Sequence, residues 1–155
     1  TTSDEKSFPV KGGPDLTFNG GDAYIAKVAL VLLQGSNPFP PRGTTLFFTL
    51  TASDDAGLPY VLATSFLPGP IPLGTRTLGL GPDHLLSVTI SNLLPTTFVN
   101  YLGRIGANGQ AGARINVPNL AALKGVTIYS AFVTLLPKAP FGIKSISNTY
   151  TAQIR

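Results

Sequence analysis

The sequence predicts an all-β protein, an antiparallel β-sandwich of immunoglobulin-like or jelly-roll type with seven or eight strands and one short helical turn. Glycine and proline supply 17 and 14 of the 155 residues, so turns interrupt the chain every few residues. Short runs rich in β-branched and aromatic residues alternate with these turns, which is typical of sandwiches. A closed barrel is the alternative. The length suits one domain with a core of ordinary size.

Three strands are predicted in the first half of the chain. Residues 23–33 (AYIAKVALVLL) begin as a half-buried strand and become apolar on both faces, as an inner strand does. Residues 45–52 (TLFFTLTA) and 60–66 are β-branched and aromatic. The prolines of GSNPFPPRG between the first two strands are expected to exclude ladder hydrogen bonds. The proline-rich residues 67–74 are expected to be extended or turning.

The second half is predicted to contain a short strand at 85–90, a hairpin over 98–118 and two further strands. In the hairpin, Asn108 and Gly109 form the tip, exposed and both at positive φ, as a type I′ turn requires. Residues 119–123 carry the one clear helical signal, with asparagine at the cap and glycine at the stop. Strands at 126–136 and 148–154 complete the fold.

The N-terminal stretch FPVKGGPDLTFNGGDAYIAKV resembles the bacterial SBBP β-propeller repeat. The matching positions are Thr2, Ser3, Phe8, Pro9, Phe18 and residues 20–27 (GGDAYIAK). From Thr44 onward the chain is loosely similar to the Ig-like C-terminal modules of large secreted bacterial proteins. The resemblance implies a bacterial, exported protein built from repeats and modules, and it implies no activity.

These observations divide the chain into an extended N-terminal segment, residues 1–21, and a β-sandwich domain, residues 22–155. A single blade fragment cannot bury its own faces, so the N-terminal segment is expected to lie against a sheet edge or groove, in the same molecule or in a neighbour. Phe8, Val10, Leu16 and Phe18 are its side chains available for pockets. The chain lacks methionine, which favours a processed mature form or a fragment.

The sequence contains no motif that predicts catalytic, cofactor-binding or metal-binding residues. His84 is the only histidine, and the adjacent Asp83 cannot easily face the same imidazole on an extended chain, so a surface turn is expected. The Asp54-Asp55 pair is expected to form a solvated turn rather than a calcium site, because no D-x-D-x-D spacing supports one. There is no nucleophile elbow, phosphate loop or dinucleotide pattern, and there is no cysteine.

Charge is distributed unevenly along the chain. All seven acidic residues lie within the first 83 positions, whereas six of the eleven basic residues follow that position. This pattern suggests attraction between the acidic part of one molecule and the basic part of another, or binding to a polyanionic surface polymer. Equally, sparse basic residues could simply keep an apolar domain in solution. The basic residues stand singly, which disfavours nucleic acid. No apolar run approaches the ~18 residues of a membrane span.

Three functions follow from these patterns. The first is a non-catalytic, secreted or cell-surface structural protein that forms a homo-oligomer or filament by strand addition through its N-terminal segment. The second is a binding module for carbohydrate or a cell-surface polymer, and the third is a small hydrolase. Phe39 and Phe141 lie in proline loops, where they are expected either to anchor a partner or to plug the ends of the sandwich.

Overall fold

The computed structural model describes residues 29–155, which form an antiparallel all-β sandwich, so the predicted fold class is confirmed. The N-terminal segment, its residues Phe8, Val10, Leu16 and Phe18, and the first part of the predicted strand 23–33 lie outside the described residues. The described part contains eleven strands, more than the seven or eight expected, because several are very short. In chain order they are β1 (Val31–Gly35), β2 (Thr45–Ala52), β3 (Pro59–Ser65), β4 (Pro68–Leu73), β5 (Arg76–Leu80), β6 (Phe98–Val99), β7 (Leu102–Arg104), β8 (Gln110–Asn116), β9 (Thr127–Leu135), β10 (Ile143–Ile146) and β11 (Tyr150–Gln153).

The strands form two sheets and a separate ribbon. One sheet has the order β1-β2-β8-β6, and the other has the order β10-β9-β3-β7, with β11 also paired to β9. The strands β4 and β5 form the two-stranded ribbon. Alternation along β2 buries Leu46, Phe48 and Leu50 between the two sheets, opposite Leu62 and Phe132 of the five-stranded sheet. Strands β2, β3 and β9 lie close to the strands predicted at residues 45–52, 60–66 and 126–136.

A third layer covers the outer face of the five-stranded sheet. Ala63 and Ala131 point outward from β3 and β9 and are buried against Leu80 of the ribbon. Leu86, from the single α-helix α1 (His84–Ile90), packs against the same cluster. Within residues 29–155, the outer face of the four-stranded sheet has no such cover.

The prediction of a strand at residues 85–90 is wrong, because this segment forms α1. Asp83 caps the helix, and its Oδ1 accepts a hydrogen bond from the backbone N–H of Leu86 at 2.8 Å. Thr89 is buried and Leu85, Leu86 and Val88 are half-buried, so one side of the helix faces the sheet. The predicted helical turn at 119–123 is present as a 3-10 turn at Ala121–Leu123. A second 3-10 turn lies at Pro140–Gly142.

The predicted hairpin over residues 98–118 is also wrong, since β7 pairs with β3 while β8 pairs with β2 in the opposite sheet. The tight turn itself exists: the Gly109 N–H donates to Gly106 O at 2.9 Å. Only Gly109 has positive φ, at 77°, and it is buried, whereas Asn108 is exposed. The side chain of Asn108 accepts from the Gln110 N–H at 3.1 Å, so an Asx turn replaces the type I′ turn.

The proline loop after β1 forms no strand, as expected, but it does take part in backbone hydrogen bonds. Pro38 O accepts from Gln153 N at 2.9 Å, and Pro40 O accepts from Arg155 N at 3.0 Å. Arg42 N donates to Arg155 O at 3.0 Å. Proline lacks a donor but keeps its carbonyl, so the loop can bind the C-terminal strand through its acceptors.

Candidate interaction surface

The uncovered side of the four-stranded sheet carries a group of exposed side chains from three strands, here called the open face. Its members point away from the core because they alternate with buried residues along β2 and β8. Phe47 is 54% exposed at the centre of this face. The open face consists of Gln34, Phe47, Thr49, Gln110, Gly112 and Arg114.

Strand register fixes how the side chains of the open face are arranged. Gln34 lies opposite Thr49, and Thr49 lies opposite Gly112, which makes one row across three strands. Phe47 lies opposite Arg114 in the next row. Neighbouring strands are about 4.8 Å apart and rows on one face about 7 Å apart, so Phe47, Thr49 and Arg114 all border the space above Gly112.

Gly112 leaves a notch in the open face. A Cβ placed on Gly112 would have only the Phe48 carbonyl oxygen within reach, at 4.0 Å. Gln110 and Arg114 flank the notch along β8, and Thr49 borders it from β2. The notch is therefore a small depression with a backbone floor, polar flanks and an aromatic ring at its corner.

The polar side chains of the open face have hydrogen-bonding groups with no partner in residues 29–155. Within the described part of the chain, no hydrogen bond or ion pair engages the side chains of Gln34, Thr49 or Arg114. The polar side chains at the adjacent end of the same face do have partners. The Thr45 hydroxyl donates to Asn116 Oδ1 at 3.1 Å, and Asn116 Nδ2 donates to Thr96 O at 2.7 Å. Donors and acceptors without a partner in the described part of the chain thus surround the notch.

The electrostatic surroundings of the open face are basic. The described residues contain three carboxylates, Asp54, Asp55 and Asp83, against eight lysines and arginines. Asp55 is only 2% exposed, and Asp83 uses both carboxylate oxygens to accept backbone N–H groups. No carboxylate of residues 29–155 lies on the open face to neutralise the charge of Arg114.

Asp55 does not form the expected solvated turn, because it is buried in an ion pair. Lys144 Nζ lies 2.6 Å from Asp55 Oδ1, and the Thr134 hydroxyl donates to Asp55 Oδ2 at 2.6 Å. Burial alone would raise the pKa of Asp55. Hydrogen bonds from Lys144, Thr134 and Ser145, together with the charge of Lys144, outweigh that effect and lower the pKa.

A second exposed region follows the helix, where Ile90, Leu93 and Leu94 lie on the surface within five positions. We call these three residues the α1-terminal patch. Leu93 is 66% exposed, although its N–H donates to Val88 O at 3.1 Å. Leu94 O accepts from Phe98 N at 2.9 Å. The backbone is therefore held in place while the side chains stay exposed. The strand predicted at residues 85–90 included Ile90, so this patch was not predicted from the sequence.

The two loop phenylalanines differ in their surroundings. The guanidinium of Arg155 lies 4.2 Å from the ring centroid of Phe39, which covers one face of that ring. Phe141 is 69% exposed, has φ of 58°, and lies beside Gly74. Arg76 holds the loop of Phe141 by donating to Ile143 O at 2.7 Å and to Lys144 O at 2.8 Å. Both residues remain candidate anchors.

The edges of β3 and β4 are protected from pairing with another strand. Thr89 of α1 accepts from the Thr64 N–H at 3.1 Å, which covers the edge of β3 beyond β7. Asp83 Oδ2 accepts from Phe66 N at 2.6 Å and from Leu67 N at 3.1 Å. Strand β4 carries Pro68, Pro70 and Pro72, which cannot donate. These features disfavour addition of a foreign strand.

His84 lies at the first position of α1 and is exposed, beside a shallow depression lined by Pro82, Asp83, Leu86 and Ser87. The carboxylate of Asp83 cannot also orient the imidazole, because its oxygens accept backbone N–H groups. Within residues 29–155, no group of three or more histidine, aspartate or glutamate side chains is placed to hold a metal ion.

Comparison with known proteins adds no family assignment. No family model matches the sequence, and no curated protein is significantly similar to it. In the described range, no helix has the length and apolar character needed to cross a membrane.

One member of the open face could have been found from sequence. In β2, threonines occupy positions 45, 49 and 51, so strict alternation places Phe47 on the threonine side rather than in the core. The importance of Gly112 had no such signal, because a glycine in a strand predicts a bulge as readily as a notch.

Proposed function

We propose that the chain is a non-catalytic extracellular structural module that self-associates into a surface or filament-type assembly. The α1-terminal patch carries this proposal. Three large apolar side chains exposed so close together are unusual on a monomer and typical of an interaction site. The resemblance of residues 2–27 to SBBP repeats supports an exported protein.

The occupant we assign to the patch is the N-terminal segment, residues 1–21, of a second copy. Phe8, Val10, Leu16 and Phe18 supply apolar side chains, and Asp4, Glu5 and Asp15 supply negative charge. The body that would receive them is basic. Because β3 and β4 are protected, we expect docking through side chains rather than a new strand at those edges. Head-to-tail contacts of this kind generate rings or filaments.

Light scattering of the full chain and of a truncated chain lacking residues 1–20 tests this proposal. We expect the full chain to assemble with rising concentration and the truncated chain to remain monomeric. Leu93→Ser should weaken assembly in the full chain, whereas Leu120→Ser, an exposed leucine outside the patch, should not. Equal assembly of the truncated and full chains would refute the role of the segment.

A second candidate function is binding of a carbohydrate or another cell-surface polymer. The open face favours it, because an exposed aromatic ring stands among free amide, hydroxyl and guanidinium groups. Depletion of the protein from solution by insoluble polysaccharides, compared between the wild type and Phe47→Ala, tests it. Equal depletion of both proteins would count against a role for this face.

A further inference from the structure

We propose that the notch above Gly112 is a subsite for a carboxylated sugar, such as a uronic acid residue within an oligosaccharide. The inference rests on the second candidate function and specifies its ligand. It depends on three independent features of the open face, which are an aromatic wall, a glycine floor and an arginine with no partner among residues 29–155.

The aromatic wall is the ring of Phe47. A sugar ring has one face of C–H groups, which packs on the face of an aromatic ring and loses contact with water. Phe47 is 54% exposed even though β2 buries the residues on either side of it. Its ring is therefore presented by a rigid central strand, which lowers the entropic cost of binding.

The glycine floor lets a ligand reach the backbone. Successive residues of β8 direct their backbone N–H and C=O groups alternately toward β2 and away from it. Gln110 and Asn116 direct theirs away from β2, because Gln110 O accepts from Gly106 N and Asn116 N donates to Thr97 O. Gly112 shares that orientation, while β6 pairs with β8 only at Arg114 and Ile115. The N–H and C=O of Gly112 therefore face the open side of the strand, next to the notch.

The charge of Arg114 selects the class of sugar. Its guanidinium is exposed and has no partner among the described residues. Guanidinium binds carboxylate through two parallel hydrogen bonds, which a neutral hydroxyl cannot match. Gln34 and Thr49 can bond the ring hydroxyl groups. A carboxylated sugar satisfies all of these groups, whereas a neutral sugar leaves the charge of Arg114 unused.

Isothermal titration with oligogalacturonate, with mannuronate oligomers and with fully methyl-esterified oligogalacturonate of the same length tests the inference. We expect at least one of the acidic oligomers to bind and the ester to bind far more weakly. Arg114→Gln and Phe47→Ala should each weaken acidic binding roughly tenfold. Gly112→Thr should abolish it by filling the notch, and the fold should tolerate the change because nothing contacts that Cβ closely.

Lys124→Gln is the matched control, since it removes one exposed positive charge from the turn between β8 and β9 and should leave affinity unchanged. Thermal unfolding of every variant verifies folding. Equal binding of acid and ester, both weakened by Phe47→Ala, would keep the carbohydrate-binding function and overturn the assignment of a carboxylated sugar. No binding of any oligomer would overturn both. Acidic binding that Lys124→Gln weakens as much as Arg114→Gln would show only general attraction and overturn the subsite.

Discussion

The side-chain amide of Asn148 pairs with both backbone groups of Leu33, as a neighbouring strand would. Asn148 Oδ1 accepts from Leu33 N at 2.7 Å, and Asn148 Nδ2 donates to Leu33 O at 3.1 Å. These are the groups of β1 that point away from β2. A Cβ on Gly35 would overlap the ring of Tyr150, so that ring packs directly on the face of β1 two residues further along. Asn148 therefore blocks the middle of an edge strand.

Removing this amide should both destabilise the fold and free the edge. We expect Asn148→Ala to lower the free energy of unfolding by about 1–3 kcal/mol, because two backbone groups of a buried residue lose their partners. Urea denaturation measures the change. Asn119→Ala is the control, since Asn119 is exposed and its side chain makes no hydrogen bond to any residue of the described range. If Asn148→Ala unfolds at the wild-type urea concentration, the two hydrogen bonds of the amide to Leu33 do not stabilise the fold.

The two partners of the buried ion pair should respond unequally to mutation. Asp55 is 2% exposed and cannot regain water, whereas Lys144 is 35% exposed and can. We expect Lys144→Met to cost about 3–5 kcal/mol, because it leaves a buried charge unpaired. Asp55→Asn should cost about 1–3 kcal/mol in lost hydrogen bonds. Urea denaturation, with Lys138→Met as the exposed control, measures both, and the reverse order of effects would contradict this account.

Asp55 should also make the stability depend on acidity. Its pKa is lowered in the folded state, so its contribution is present above the unfolded pKa, about 3.9, and is lost as the pH falls through the folded pKa. Wild-type stability should therefore fall between about pH 4 and the folded pKa. The Asp55→Asn variant should not show this part of the loss of stability at acidic pH. Urea midpoints across the acid range compare the two proteins, and parallel curves would exclude Asp55 as the source.

The sequence predicted those strands whose side chains alternate clearly, and it failed where partners lie far apart in the chain. Strands β2, β3 and β9 were located because β-branched and aromatic residues alternate along them. Asp55 was predicted to be a turn residue because its ion-pair partner Lys144 lies far away in the sequence, in β10. The Asn108-Gly109 turn was found, but turn chemistry does not determine which sheet the following strand joins.

The helix was missed for a local reason. Residues 85–90 form a short segment with β-branched side chains, which favours a strand. Asp83, an aspartate at the helix N-cap, is the sequence signal that favours a helix instead. Of the candidate site, the alternation in β2 could have placed Phe47 on the surface. The notch depends on the register between β2 and β8, which only the folded structure defines.

Tyr101 should stay protonated until the protein unfolds. Burial raises the pKa of its hydroxyl, although hydrogen bonds from Thr64 and Ser130 act in the opposite direction. A raised folded pKa means that stability is complete below the unfolded value of about 10 and is lost as the pH rises above it. Tyr101→Phe should reduce this alkaline loss, which denaturation at rising pH measures. Tyr129→Phe in β9 is the control, and an unchanged alkaline curve for Tyr101→Phe would refute the prediction.

Asp83 should stabilise both α1 and the start of the ribbon, because one carboxylate accepts N–H groups from Phe66, Leu67 and Leu86. We expect Asp83→Ala to lower the free energy of unfolding by about 0.5–2 kcal/mol, because the helix cap is lost.

Amide hydrogen exchange in Asp83→Ala should become faster at Leu86. It should also become faster at Thr64, because the Thr64 N–H donates to Thr89 of the same helix. Asp83→Asn keeps one acceptor oxygen and should fall between the wild type and Asp83→Ala. Ser87→Ala removes only a long hydrogen bond of 3.3 Å and serves as the control. Faster exchange at Leu86 with unchanged exchange at Thr64 would show that the helix cap does not protect the edge of β3.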